Sequence, residues 1–209
     1  MIYEIRTYDI KPTMVPEYQK RFYQKLPERV KFSKLAGHWY TEVGPINQII
    51  AIWPYSNNDQ RIQIRSEVEQ KGIWPPDSGD LVQGMVSEIY LPAPFMRAME
   101  PKNIGPIYEM RIYTYPPEDM PDILHTWQAA MPAREQLSPL VGCWYKESGG
   151  NDNFIHMWAY ESVEERNQRR KKLFENPSWL EFLPKVRPFL LKQQSKMLIP
   201  ASFSPVGQV

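Results

Sequence analysis

A single cysteine, three histidines and a net charge of only +1 are what this 209-residue chain has least of. One thiol, Cys143, excludes an internal disulfide and fits a reducing compartment. A near-zero net charge sets up no long-range field toward nucleic acid or an anionic membrane. No apolar run approaches the roughly 20 residues of a membrane span. Met1 is followed by strand-like sequence instead of a basic-then-apolar leader, so the expected compartment is the cytoplasm, with no nucleic-acid partner and no membrane span. His38, His125 and His156 lie far apart without H-x-x-x-H or C-x-x-C spacing, so no metal is expected. Glycine-rich phosphate loops and a G-x-S-x-G elbow are also missing, and no cofactor is expected. Cys143, on a strand beside Trp144, reads as a packed small residue instead of a nucleophile.

Aromatics are abundant, with 7 Trp and 12 Tyr, while the 21 Pro are scattered at element ends and form no linker. The sequence also repeats itself. Tyr3-Glu4-Ile5-Arg6-Thr7-Tyr8 returns 105 positions later as Tyr108-Glu109-Met110-Arg111-Ile112-Tyr113. At the same offset Leu35-Ala36-Gly37-His38-Trp39-Tyr40 returns as Leu140-Val141-Gly142-Cys143-Trp144-Tyr145, and Ile52-Trp53-Pro54-Tyr55 as Met157-Trp158-Ala159-Tyr160. Arg29 pairs with Arg134, Arg61 with Arg166 and Trp74 with Trp179. A constant offset through so many anchors reads as a tandem duplication. The expected domains are a first repeat over 1–95, a connector over 96–106, a second repeat over 107–203 and a tail over 204–209.

Residues 2–8 alternate with period two, which predicts a strand. Met14, Tyr18, Phe22 and Leu26 recur every four residues, an amphipathic helix with Pro16 in its first turn. Leu35–Glu42 and Gln48–Tyr55 predict two more strands, with turns at Gly44-Pro45 and Gly149-Gly150. Ser56 with Asp59, and Ser162 with Glu165, predict capped polar helices. The five basic residues within Arg166 to Lys172 read as a solvated outer face. The first half then carries a loop, Gly72 to Gly79, where the second continues through Trp179, Phe182 and Leu183. Both halves close on a strand, 88–95 and 196–203. Each half thus reads strand, helix, strand, strand, helix, strand, the ferredoxin-like order, in which two helices cover one sheet face and leave the other bare. The fold class is therefore α+β, and two copies can bury their bare faces against each other.

Glu4, Arg6 and Tyr8 share a strand face, as do Glu109, Arg111 and Tyr113. Burying Glu and Arg unpaired is costly, so these sets are expected to face the space between the two sheets and not the helices. The halves differ where His38 is matched by Cys143 and His156 by Ala51. His38 shares a face with Tyr40 and Glu42, which makes it a candidate general acid–base group. His156 shares a face with Phe154, Trp158 and Tyr160, a candidate pocket with one titratable group. His125, on a helix, reads as exposed.

Ile-Tyr-Glu-Ile-Arg-Thr-Tyr at the start, the Gly-His-Trp-Tyr strand and the closing Leu-Pro-Ala-Pro-Phe together resemble the NIPSNAP family, once per half. The resemblance implies a dimeric α/β-barrel arrangement, two ferredoxin-like sheets packed as a barrel-like pseudo-dimer. That superfamily includes cofactor-free monooxygenases, isomerases, aldoxime dehydratases and haem enzymes, and many NIPSNAP proteins have no assigned reaction. For haem, His38 or His156 would be the axial candidates, but no cofactor is expected. Fold alone does not choose among these activities. The combined expectation is an aromatic-lined cavity for a small, largely apolar or aromatic organic molecule. One reading is a cofactor-independent acid–base enzyme (isomerase, lyase or monooxygenase type) using His38, Tyr40, Arg6, Glu42 and His156. Tyr8, Trp53, Tyr55, Arg111, Tyr113, Tyr145, Trp158 and Tyr160 would then bind the substrate. The alternative is a non-catalytic binding or scaffold protein; homo-oligomerisation through outer sheet edges or helices is open in both.

Overall fold

Alternating and four-spaced apolar positions become strands and helices in the expected order. A computed structural model describes residues 1–146 and 152–207; the expected Gly149-Gly150 turn lies outside the described residues. The first half runs β1 (Ile2–Ile10), α1 (Val15–Arg29), β2 (Gly37–Val43), β3 (Gln48–Tyr55), α2 (Asn58–Gln70) and β4 (Val82–Pro92). The second runs β5 (Ile107–Tyr115), α3 (Met120–Glu135), β6 (Leu140–Tyr145), β7 (Asp152–Tyr160), α4 (Val163–Leu173), an added α5 (Pro177–Val186) and β8 (Lys192–Pro200). The fold is mixed α/β with antiparallel strand pairing. None of the described helices is long and apolar enough to cross a membrane.

The chain divides into two compact units that do not follow its halves. Unit 1 comprises Met1–Tyr90, Glu100–Asn103 and Leu198–Val209; unit 2 comprises Leu91–Met99 and Ile104–Met197. Unit 1 orders its strands β4-β1-β3-β2, with the last residues of β8 beside β2. Unit 2 orders them β8-β5-β7-β6, with Leu91 and Pro92 at the end of β4 opposite Tyr145 and Trp144 of β6. Each unit therefore completes its sheet with residues from the other half of the sequence. The C-terminal stretch expected to be a tail is part of unit 1. Its Ser204 accepts a hydrogen bond from the His38 amide at 2.9 Å, and Phe203, the last residue of the expected second repeat, stacks on Phe22 and Tyr23.

Helix α1 buries Tyr18, Phe22 and Leu26, the four-spaced stripe, against Trp53 and Ala51 of the sheet. In unit 2, α3 and α5 bury Ile123, Trp127, Trp179 and Phe182 against Phe154 and Trp158. Helix α4 is capped as expected, the Ser162 side chain accepting from the Glu165 amide. Helix α2 is not: its cap is Asn57, which accepts from the Gln60 amide, and Ser56 instead donates to the Gln60 side chain. Asn57 is the position equivalent to Ser162, so the correct cap was one residue further on. The Gly-x-Trp strands also gain a physical reason. A methyl group on Gly37 would overlap the buried indole of Trp39, and one on Gly142 that of Trp144. Only glycine lets each ring lie over the backbone two residues back.

Candidate functional site

The polar face of β1 meets the helices of its own unit, which reverses the expected side. Glu4 is buried and receives Arg65 at 2.9 Å and Arg61 at 3.1 Å, both from α2, with Arg6 at 3.6 Å and the Ser87 hydroxyl at 2.6 Å. The expectation assumed the helix-covered side would leave such charges unpaired. Three guanidiniums and a hydroxyl around one carboxylate remove that objection. Burial alone would push the Glu4 carboxyl up, yet the Ser87 hydrogen bond and the three arginines hold it below the usual carboxylate range. Glu109 repeats the arrangement in unit 2. Arg166 of α4 approaches at 2.5 Å, Arg111 at 3.0 Å, the Ser195 hydroxyl at 3.0 Å and Arg170 at 3.9 Å. The basic run on α4 is thus not wholly an outer face. Arg166 and Arg170, four apart on one side of the helix, turn inward, while Lys171 and Lys172 stay exposed.

A cavity opens between sheet and helices in each unit. That of unit 1, about 320 Å³, is lined by Arg6, Tyr8, Arg29, Trp53, Tyr55 and Trp74 among others, together with the carboxylates Glu4 and Glu69. That of unit 2, about 420 Å³, is lined by Arg111, Tyr113, Arg134, His156, Trp158 and Arg170, with α5 contributing Trp179 and Phe182. Of the expected site residues, Arg6, Tyr8, Trp53 and Tyr55 thus line the first cavity; Arg111, Tyr113, His156 and Trp158 line the second. His38, Tyr40, Glu42, Tyr145 and Tyr160 line neither.

Strand register explains the different fates of the two histidines. Ala51 of β3 lies between Arg6 of β1 and His38 of β2, and His156 of β7 lies likewise between Arg111 of β5 and Cys143 of β6. The second half carries its imidazole one strand closer to the arginine, on the cavity wall. His38 sits a strand further out, its ring 4.5 Å from that of Phe22 and 4.9 Å from that of Phe203. Both of its nitrogens are buried without a hydrogen-bond partner among the described residues. Burial pushes its pKa down to about 3, so it is a neutral core residue at ordinary pH. Glu42 is exposed at the end of β2 and Tyr40 is only half-buried beside it. The expected His38–Tyr40–Glu42 acid–base group is therefore not assembled. His125 is exposed. Cys143 is buried, and burial pushes its thiol well up, away from nucleophilic reactivity.

His156 is held differently. The Trp158 indole N–H donates to His156 Nδ1 at 2.6 Å, which makes Nδ1 an acceptor and leaves the proton on Nε2. Nε2 is buried and has no partner among the described residues. Burial first, and then the charges of Arg111, Arg134 and Arg170, push the imidazole well below its ordinary pKa. It is a neutral N–H donor in an aromatic enclosure, with Tyr113 4.7 Å and Trp127 4.7 Å away, centroid to centroid. Arg134 of α3 lies over Trp158 at 3.8 Å and donates to the Tyr160 hydroxyl at 3.3 Å. Its unit 1 counterpart Arg29 makes the same contacts to Trp53 and Tyr55, plus one at 2.7 Å to Ser33. Sequence reasoning noticed both arginines as repeat anchors yet missed them as site residues. Arg65 and Arg170 were missed too, although the 105-residue offset pairs them as it pairs Arg61 with Arg166. Among the described residues no group of three or more His, Cys, Asp and Glu could hold a metal ion.

Comparison with known proteins fits this architecture. The chain is similar to the human protein NipSnap homolog 3A, 28% identical with 99% of this chain and 86% of that protein covered. It is 29% identical to the NipSnap homolog of Dictyostelium discoideum, with 95% and 87% covered. A crystal structure from Lactobacillus acidophilus, of a protein whose name proposes monooxygenase activity, shares the fold at TM-score 0.63. That likeness spans 95% of this chain and 93% of the other at 12% identity, and it speaks for the fold alone. The NIPSNAP family model matches twice, over residues 3–97 and 108–205, and the chain belongs to the NIPSNAP family.

Proposed function

We propose that unit 2 holds the working site, a cavity that binds a small, largely apolar organic molecule and stabilises negative charge on one of its oxygens. The observation that carries this is His156, a buried imidazole whose unpartnered Nε2–H stands in the wall of an aromatic-lined cavity of about 420 Å³. A neutral imidazole donor beside Arg111 and Arg134 suits an oxyanion that develops during reaction. It does not suit proton abstraction near neutral pH, because a group so depressed is a weak base. Isomerisation, lyase chemistry or oxygenation of a substrate that already carries an acidic proton fit this division of labour. The monooxygenase named among the structural relatives is compatible with it and does not carry it. No cofactor is given a role, and the cytoplasm remains the compartment we infer from the single buried thiol. The two segments matched by the family are read as duplicated repeats, of which the first has lost or never gained the imidazole on its cavity wall.

A second reading, a non-catalytic binding protein, is favoured by one feature: among the described residues no carboxylate lines the unit 2 cavity to act as a base. One experiment addresses both readings. Small molecules that co-purify with the full chain are identified by mass spectrometry and returned to wild-type protein and to His156→Ala. Binding weakened by the variant supports the site. Turnover in the wild type that falls by about 10²-fold or more in the variant supports catalysis. Unchanged binding in a folded His156→Ala protein sinks the assignment to this cavity.

A further inference from the structure

The two cavities differ most in charge. In unit 1, Arg6, Arg29 and Arg65 are set against Glu4 and Glu69 in the same wall, and Arg65 spends its charge on Glu4 at 2.9 Å. In unit 2 four guanidiniums line the wall, Arg111, Arg134, Arg170 and Arg187, and none of the described lining residues is acidic. Glu109 lies behind that wall and is already engaged by Arg166 and Arg111. Arg170, equivalent to Arg65, stands 3.9 Å from it, and its side chain makes no hydrogen bond among the described residues. Arg134 is almost fully buried and makes no ion pair among them; its one side-chain hydrogen bond goes to the neutral hydroxyl of Tyr160. A buried guanidinium held only by a neutral hydroxyl and the face of Trp158 is costly unless an anion joins it.

We infer that the unit 2 cavity is selective for a flat carboxylate, an arylcarboxylic or similarly rigid apolar acid. Its carboxylate would lie between Arg134 and Arg170, leaving the His156 Nε2–H for the oxygen on which charge develops, and its ring against Trp179, Phe182 and Leu173. The inference rests on the binding site proposed above and adds the class of its ligand. A planar guanidinium fork matches the two oxygens of a carboxylate. The side formed by Trp127, Leu173, Trp179, Phe182, Leu183 and Val186 is apolar, and the cavity has room for about two fused rings by the usual relation of pocket to ligand size. Unit 1 sets two carboxylates, Glu4 and Glu69, against its three arginines and has no imidazole on its wall, so it is a poorer seat for an anion.

Calorimetric titration of the full chain with 2-naphthoate, neutral 2-naphthamide and 2-naphthyl phosphate tests the inference. We expect one equivalent of naphthoate to bind at least tenfold more tightly than the amide. Arg134→Gln and Arg170→Gln should each weaken naphthoate by about tenfold or more and leave the amide within about twofold, since hydrogen bonds to charged groups are the strong ones. Arg170 is on the cavity rim with 27% of its side chain exposed, so its variant remains informative even if Arg134→Gln fails to fold. Amide binding as tight as naphthoate overturns the anion selectivity while leaving the site standing. Tighter binding of the phosphate overturns the carboxylate assignment. No binding of any of the three removes the proposed site and this inference with it.

Discussion

At the scale of single residues, what a side chain can do here follows from which neighbours take its polar atoms. His156 and His38 are both buried imidazoles, but Trp158 binds Nδ1 of the first, whereas rings alone surround the second. The histidine nitrogen spectrum of the full chain should therefore show His156 as the Nε2–H tautomer at neutral pH. Its burial and arginine neighbours should keep it neutral well below the pH at which an ordinary imidazole takes up a proton. Trp158→Phe removes the indole donor and should leave a mixture of tautomers. A wild-type His156 that titrates near its ordinary value, or that carries its proton on Nδ1, contradicts the donor role assigned to it.

Among the elements, α4 shows how a helix with little apolar character is still tied to the sheet. Leu173 is its one buried residue, and its inner face is completed by Arg166 and Arg170 reaching toward Glu109. Burial pushes Glu109 up, but the Arg166 hydrogen bond and the charges of Arg111, Arg166 and Arg170 more than offset it, so the carboxylate stays ionised. Arg166→Ala removes its nearest partner and should cost about 2 kcal/mol in urea unfolding, because a buried carboxylate loses a charged hydrogen bond. Lys172→Ala, on the exposed side of the same helix, should change stability by less than about 0.5 kcal/mol. Equal costs for the two would mean that the run is a solvated face after all.

For the molecule as a whole, buried neutral histidines make stability depend on pH. His38 has a folded pKa of about 3 against an unfolded value near 6.5. Its contribution is therefore fully present above about pH 6.5 and is lost progressively as the pH falls toward 3, where the unfolded chain holds a proton that the native state refuses. Between about pH 7 and about pH 5 this single group should remove about 2 kcal/mol of stability. The depressed His156 adds in the same direction. His38→Cys, which installs the residue found at the equivalent position of the second half, should flatten the urea-midpoint profile over that range and leave ligand binding in unit 2 unchanged. A profile with the same slope in variant and wild type would show that His38 is not the neutral core residue described.

The order of strands and of every helix but α5, the pairing of Glu4 with Arg6 and of Glu109 with Arg111, and the aromatic character of the cavities were legible in the sequence. Periodicity and the 105-residue offset are local or one-dimensional signals, and they report which residues share a face. They do not report what that face meets. Arg61 and Arg65 reach Glu4 from a helix that starts more than fifty positions away, and only this contact makes the helix-covered side a tolerable place for a carboxylate. Strand order likewise decided between the histidines. Adjacency of β7 to β5 puts His156 beside Arg111, while β3 stands between His38 and Arg6. The division into units depended on where β4 and β8 find their last hydrogen-bonding partners, Tyr145 and Trp144 for one and the strand of His38 for the other. Such pairings join residues far apart in the chain. They are fixed by the free energy of closing whole sheets, which no window of sequence contains.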